Sequence, residues 1–224
     1  RIALSGIGFF ETQNYSFISQ KNKEELGLLD SDIIEILNPL SSEQQYLRPN
    51  LLINLFKNVK SNLPYYSDIK IFEIGNVFNK DDYENKIYDV IDLRLSGAIA
   101  HKVDSDMFYE AKGVADYLLK SLGITDYFYK DIDLHSNIWK RNALAKIEIN
   151  GEDIGYVGIP QKTVLDKMGI NEEKKVYTIT IPRHNKKIIL YNILIYIFIV
   201  FMTLGKKNIY EDLITKISEL LNGR

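Results

Sequence analysis

Cysteine is absent from this 224-residue chain. That removes disulfides, thiolate metal sites and a thiol nucleophile, and it suits a reducing compartment such as the cytoplasm. Histidine is scarce too: His101, His135 and His184 are scattered and offer no ligand spacing for zinc. Neither sign of charge dominates, with 28 basic against 30 acidic side chains, so there is no global positive field and any contact with RNA must be local. The first residues do not read as a basic-then-apolar secretory leader. No internal repeat is evident. The chain opens on Arg1 instead of Met and reads as a fragment of a longer polypeptide.

An apolar content of 46% with 26% charged residues is that of an ordinary soluble globular protein. Residues 1 to 8 read as the end of a helix, Glu11 to Ser19 as a strand with Tyr15 and Phe17 on one face, and Lys21 to Gly27 as a short helix closed by its glycine. Ile33 to Leu37 is expected as a strand, stopped by Asn38-Pro39 because the residue before proline is pushed away from helical angles. Leu51, Leu52, Leu55, Phe56 and Val59 recur at helical spacing and predict an amphipathic helix that ends at Leu63-Pro64. Ile69 to Phe78 is apolar on both faces, as a central strand would be. A polar loop, Asn79 to Lys86, leads to an alternating strand through Ile91, Leu93, Leu95, Gly97 and Ile99. Ala111 to Leu122 carries a helical stripe ended by Gly123. Strands follow at Tyr127 to Asp131, Ala143 to Ile149 and Asp153 to Ile159, with Asn150-Gly151 as a tight hairpin turn, then a helix from Gln161 to Met168 and a strand from Val176 to Ile181. Antiparallel strands interleaved with a few helices indicate an α+β fold. The apolar segment Ile188 to Leu204 would span about 25 Å as a helix, at the lower limit for crossing a bilayer. A buried strand pair or a diverged tail is the preferred reading there, and a membrane is not an expected partner.

Four ordered blocks carry a family resemblance. Gly8-Phe9-Phe10-Glu11 runs into Asn14-Tyr15-Ser16-Phe17. Asn38-Pro39-Leu40-Ser41 is followed by Leu47-Arg48-Pro49 and then by Ile71-Phe72-Glu73-Ile74-Gly75. Phe108-Tyr109-Glu110-Ala111-Lys112-Gly113 opens a helix, and Gly151 to Gly158 forms a paired-glycine hairpin. In this order the chain resembles phenylalanyl-tRNA synthetase beta subunits over residues 3 to 181. The resemblance implies a class II aminoacyl-tRNA synthetase-like antiparallel sheet flanked by helices. It makes residues 1–182 the core domain and 183–224 a C-terminal extension, one reading of which is the truncated start of a ferredoxin-like anticodon-binding domain with Glu211 to Ile214 in its first helix. It further implies a cytoplasmic alpha subunit as partner, in an assembly of two alpha and two beta chains, and tRNA(Phe) engaged through that assembly. ATP and magnesium are implied for the whole enzyme, with no cofactor in this fragment. The chain departs from the family pattern at Ile138 to Asn142, which lacks a proline-glycine turn, and at Ile159-Pro160, which lacks a histidine.

Adenylate chemistry needs cations fixed on the nucleotide phosphates. Where class II enzymes place an arginine after the strand resembling Ile69 to Phe78, this chain has Asn79-Lys80-Asp81-Asp82. A second arginine is missing after Gly155 to Gly158. The reading is a non-catalytic copy of a catalytic fold that scaffolds the alpha subunit, and a free-standing tRNA-binding module or enzyme is the alternative. Asn38, Pro39, Arg48, Glu73 and Gly75 are the interface or structural candidates, and the loop Asn38 to Arg48 and the helix Leu51 to Leu63 are the segments taken as interface. Arg48 is expected to pair with Glu43 or Glu73, and Glu73 to have a cationic partner. Trp139, Lys140 and Arg141 form an aromatic-basic cluster suited to RNA, with a tryptophan-anchored loop as the plainer reading. Lys112 is expected to be solvated. Asp81, Asp82 and Glu84 read as solvated charges, and no metal site is assigned.

Overall fold

The computed structural model describes residues 1–78, 80, 91–101, 108–132, 138–170 and 175–182, all within the unit Arg1–His184. Most of the loop Asn79 to Lys86, with Asp81, Asp82 and Glu84, lies outside the described residues. So do His135, His184, Ile188 to Leu204 and the whole extension 183–224.

In chain order the elements are α1 (Ile2–Gly6), β1 (Phe10–Glu11), β2 (Phe17–Ile18), α2 (Gln20–Leu26), a 3-10 turn at Asp30–Asp32, β3 (Ile34–Glu35), β4 (Tyr46–Leu47), α3 (Leu52–Asn62), β5 (Asp68–Phe78) and β6 (Ile91–His101). Then come α4 (Phe108–Ser121), β7 (Phe128–Asp131), β8 (Trp139–Ile149), β9 (Glu152–Pro160), α5 (Lys162–Lys167) and β10 (Lys175–Pro182). Seven strands form one sheet in the order β1-β5-β6-β10-β9-β8-β7, and β2-β4-β3 form a second, small one. All pairings are antiparallel apart from β1 beside β5.

Register explains which side chains meet. Ile71 lies opposite Ala98, Ala98 opposite Thr178, and Thr178 opposite Gly158, so these four form a row on one face of the sheet. Against that face packs α3, whose Leu52, Ile53, Leu55, Phe56 and Val59 are buried with Ile69, Ile71, Ala98, Ala100 and Val176. Val164 and Leu165 of α5 complete the cluster. The apolar stripe of α3 therefore faces the chain's own core, and Lys60 and Ser61 are its exposed positions. The opposite pleat direction buries Phe72, Ile99 and Ile179, and α4 lies over β9 and β10 with Ala111, Val114, Ala115, Leu118 and Leu119 inward. No helix among the described residues is long and apolar enough to cross a membrane.

Three expectations need correction. Glu11 to Ser19 is not one strand: after β1 the Thr12 amide and hydroxyl both donate to the Phe72 carbonyl, at 2.7 and 3.2 Å, and the Asn14 amide side chain donates to Glu73. These bonds tie residues 12 and 14 to β5 after the two-residue ladder of β1 ends, and only then does β2 join the small sheet, with Tyr15 exposed. Second, Ile33 to Leu37 pairs only over Ile34–Glu35, opposite a strand at Tyr46–Leu47 that has no sequence signal of its own. Third, β8 begins at Trp139, four residues before Ala143. The strand passes a register irregularity between Trp139 and Leu144, where Asn142 takes φ 58, a left-handed conformation that asparagine tolerates better than most residues. Other local signals hold: Gly27 caps α2 at φ 63, and Asn150 and Gly151, at φ 51 and 81, join β8 to β9.

Candidate functional site

Arg48 follows β4 and points inward beneath the start of α3. Its Nη1 donates to Glu73 Oε1 at 2.7 Å, and the two side chains are 2% and 3% exposed. Nε donates to the Asn76 carbonyl at 2.9 Å, while Asn14 Nδ2 donates to Glu73 Oε2 at 2.8 Å. Both carboxylate oxygens of Glu73 are thereby engaged, which is what a buried ion pair needs to offset its desolvation. The backbone joins in: the Arg48 amide donates to the Ser16 carbonyl at 2.9 Å, and the Phe78 amide to the Arg48 carbonyl at 3.0 Å. Gly75 leaves room for the guanidinium, since a Cβ there would run into Arg48 Nη2 and stand 3.0 Å from Glu73 Oε1.

Asn38 and Pro39 lie elsewhere, in the exposed connection of the β3–β4 hairpin. Flanking them, Leu37 and Leu40 are 94% and 93% exposed. The hairpin is held firmly at its base. The Ile36 amide donates to the Gln45 carbonyl at 2.8 Å, the Gln20 amide to Gln45 Oε1 at 3.1 Å, and the Tyr46 hydroxyl to Gln20 Oε1 at 2.7 Å. Lys23 of α2 stands 5.0 Å from the Tyr46 ring centroid and pairs with Asp30. That hydrogen bond raises the Lys23 ammonium above its ordinary value and holds the Asp30 carboxyl below its own. The structure thus splits the sequence candidates into a buried set, Arg48, Glu73 and Gly75, and a surface set, Asn38 and Pro39.

Trp139 is half-buried against the core, and a Cβ on Gly158 would stand 2.8 Å from its ring. This is the tryptophan-anchored reading. Lys140 and Arg141 are exposed beside it. Lys112 is not simply solvated, because its ammonium lies 4.4 Å from the Tyr129 ring centroid, while Tyr127 and Tyr129 both donate to Asp116 Oδ1 at 2.7 Å. Burial and that carboxylate push the Tyr127 phenol up to about 12. Among the described residues no group of three His, Asp or Glu side chains is arranged to hold a metal ion.

Sequence reasoning missed Asn14, Asn76 and Gln20. The first lies inside a quoted motif, but its partner is 59 residues away, a separation that no local pattern reveals.

Comparison with known proteins covers the same span. The family model described as the phenylalanyl tRNA synthetase beta chain CLM domain matches residues 1–181. The phenylalanine–tRNA ligase beta subunit of Fusobacterium nucleatum subsp. nucleatum is 32% identical over 76% of this chain and 22% of its own length; that of Thermotoga maritima is 25% identical over 79% and 23%. The chain spans about a fifth of these relatives' length. In fold it is similar to PylSc, a pyrrolysyl tRNA synthetase of Desulfitobacterium hafniense, with a TM-score of 0.66 at 16% identity, over 80% of this chain and 62% of that one. The α+β fold is therefore that of a class II tRNA synthetase, and the chain belongs to the phenylalanyl tRNA synthetase beta chain CLM domain family.

Proposed function

We propose that the chain is a non-catalytic core of a phenylalanine–tRNA ligase beta subunit that positions a cytoplasmic alpha subunit for the ATP-dependent attachment of phenylalanine to tRNA(Phe). The observation that carries this reading is the closed Arg48–Glu73–Asn14 network. In a catalytic copy, a cation on this face would stand ready for a nucleotide phosphate. Here the guanidinium is bonded to Glu73 and to the Asn76 carbonyl, and both oxygens of Glu73 are taken. Among the described residues no group of acids or histidines is arranged to hold a magnesium ion beside a nucleotide. ATP and magnesium belong to the alpha subunit's reaction. In this reading the exposed Lys140 and Arg141, next in sequence to the core-packed Trp139, contact tRNA phosphates in the assembled enzyme.

The test is to mix the full chain with the alpha subunit of a phenylalanine–tRNA ligase and follow sedimentation. Co-migration at micromolar concentrations is expected, with no ATP–pyrophosphate exchange by the chain alone. Independent sedimentation removes the scaffolding role, and measurable exchange restores the enzyme alternative.

A further inference from the structure

The β3–β4 hairpin has a composition unlike the rest of the molecule. Residues 28–47 contain four acids, Asp30, Asp32, Glu35 and Glu43, and no lysine or arginine, in a chain whose basic and acidic totals are 28 and 30. At the tip of this acidic segment stand Leu37 and Leu40, 94% and 93% exposed, with Pro39 between them also exposed. A turn closed by the Gln44 amide on the Ser41 carbonyl at 3.0 Å shapes the tip. The base is fixed by the buried Tyr46 and Ile33 and by Lys23. Neither leucine contributes appreciably to the chain's own core, and exposing two branched apolar side chains on a braced hairpin is unfavourable unless something covers them.

We infer that the hairpin is a preorganised docking arm whose leucine tip enters an apolar pocket rimmed by cationic side chains on the alpha subunit. The inference rests on the scaffolding role above and adds the chemistry of the contact. Charge complementarity selects a protein over RNA: with Asp30 already paired to Lys23, the projecting hairpin carries Glu35 and Glu43 and no lysine or arginine, so phosphates are repelled whereas a basic-rimmed protein pocket is attracted to it. A rigid base lowers the ordering cost of association, and a central apolar anchor within a polar rim is where interface energy concentrates.

The experiment compares the full chain with two double variants, Leu37→Ser/Leu40→Ser and Glu35→Lys/Glu43→Lys, against the same alpha subunit. All four positions are exposed, so thermal melts matching the unsubstituted chain are expected and serve as the control. The leucine variant is expected to bind at least about tenfold more weakly at any salt concentration. The charge variant should bind about three- to tenfold more weakly at low salt, with the difference shrinking as salt rises. Unchanged affinity in the leucine variant overturns the arm and leaves the scaffolding role standing. Failure of the unsubstituted chain to bind removes the role and the arm's occupant together. Two further results also overturn the proposal: reduced retention of tRNA by the leucine variant with alpha-subunit affinity intact, and arm-dependent self-association of the chain alone.

Discussion

Arg48 and Leu40 are eight residues apart, and each occupies the environment usual for the other. The guanidinium is among the largest fully buried side chains, whereas the leucine at the hairpin tip is almost wholly in solvent. Between them β4 turns the chain from surface to interior, and Tyr46 is buried at the changeover. The buried region meets every need internally: Glu73, Asn14 and the Asn76 carbonyl close the network around Arg48. The exposed region closes its backbone bonds in the same way but leaves Leu37 and Leu40 in solvent. The lesson is that a charge inside is accounted for by partners within the fold, whereas the leucine outside draws its stability from none of them.

Breaking the comparison at its strongest point means removing Arg48. Arg48→Ala leaves Glu73 buried and uncompensated, and its expected cost is about 3–5 kcal/mol, a large share of the roughly 5–15 kcal/mol that holds a domain together. Leu37→Ser, at the other pole, is expected to stay within about 0.5 kcal/mol. Urea unfolding of both variants checks the contrast. The double variant Arg48→Met/Glu73→Leu should recover much of the loss, because the penalty comes from the orphaned charge. An Arg48→Ala variant as stable as the unsubstituted chain would mean the network is incidental.

Next in size is Gly75. This glycine faces the guanidinium, and the β-carbon of Gly75→Ala would collide with Arg48 Nη2 and stand 3.3 Å from Leu51 Cδ2. Overpacking of this kind typically costs about 1–3 kcal/mol. Because the obstacle is a side chain, the cost should fall when Arg48→Met is already present, and a double-mutant cycle by thermal or urea unfolding reads that coupling. Additive losses would place the strain in the backbone of β5 instead.

Much of the framework was legible in the sequence because its signals are local or long. β5 and β6 are eleven residues each and read directly from their apolar pattern. The Asn150-Gly151 turn and the Gly27 cap follow from left-handed geometry. A cation for Glu73 was legible from the cost of burying a charge, with Arg48 one step behind. β4 was not, because a pair of residues has no period, and neither was the split of Glu11 to Ser19 into β1 and β2, whose partners are tens of residues away. Nor was the early end of β1 at Glu11, after which the Thr12 hydroxyl and the Asn14 amide bond to the Phe72 carbonyl and Glu73. The segment 38–48 was visible as a motif, but its division into a buried half and a projecting half depends on where β4 pairs, which is a tertiary fact.

The smallest effect is expected at the base of the arm and is read through pH. Asp30 is held below its ordinary value near 3.8 by its hydrogen bond from Lys23 and then by the ammonium's charge. A carboxyl whose folded value lies below its unfolded one adds stability that is present above the ordinary value and is lost as pH falls through the folded one. Lys23 has the opposite sense. Raised chiefly by the same bond, its contribution is complete below its ordinary value of 10.5 and is lost at higher pH. Across neutral pH the pair is therefore intact, and acid releases it first at the Asp30 end. Thermal midpoints measured from pH 6 down to pH 3 should fall less steeply for Asp30→Asn than for the unsubstituted chain. Because Asp30 is exposed, the difference should narrow as salt rises. Parallel acid limbs would leave Tyr46, Ile33 and their apolar contacts as the whole support of the arm, and the contrast between a charged interior and an apolar tip would then stop at Arg48.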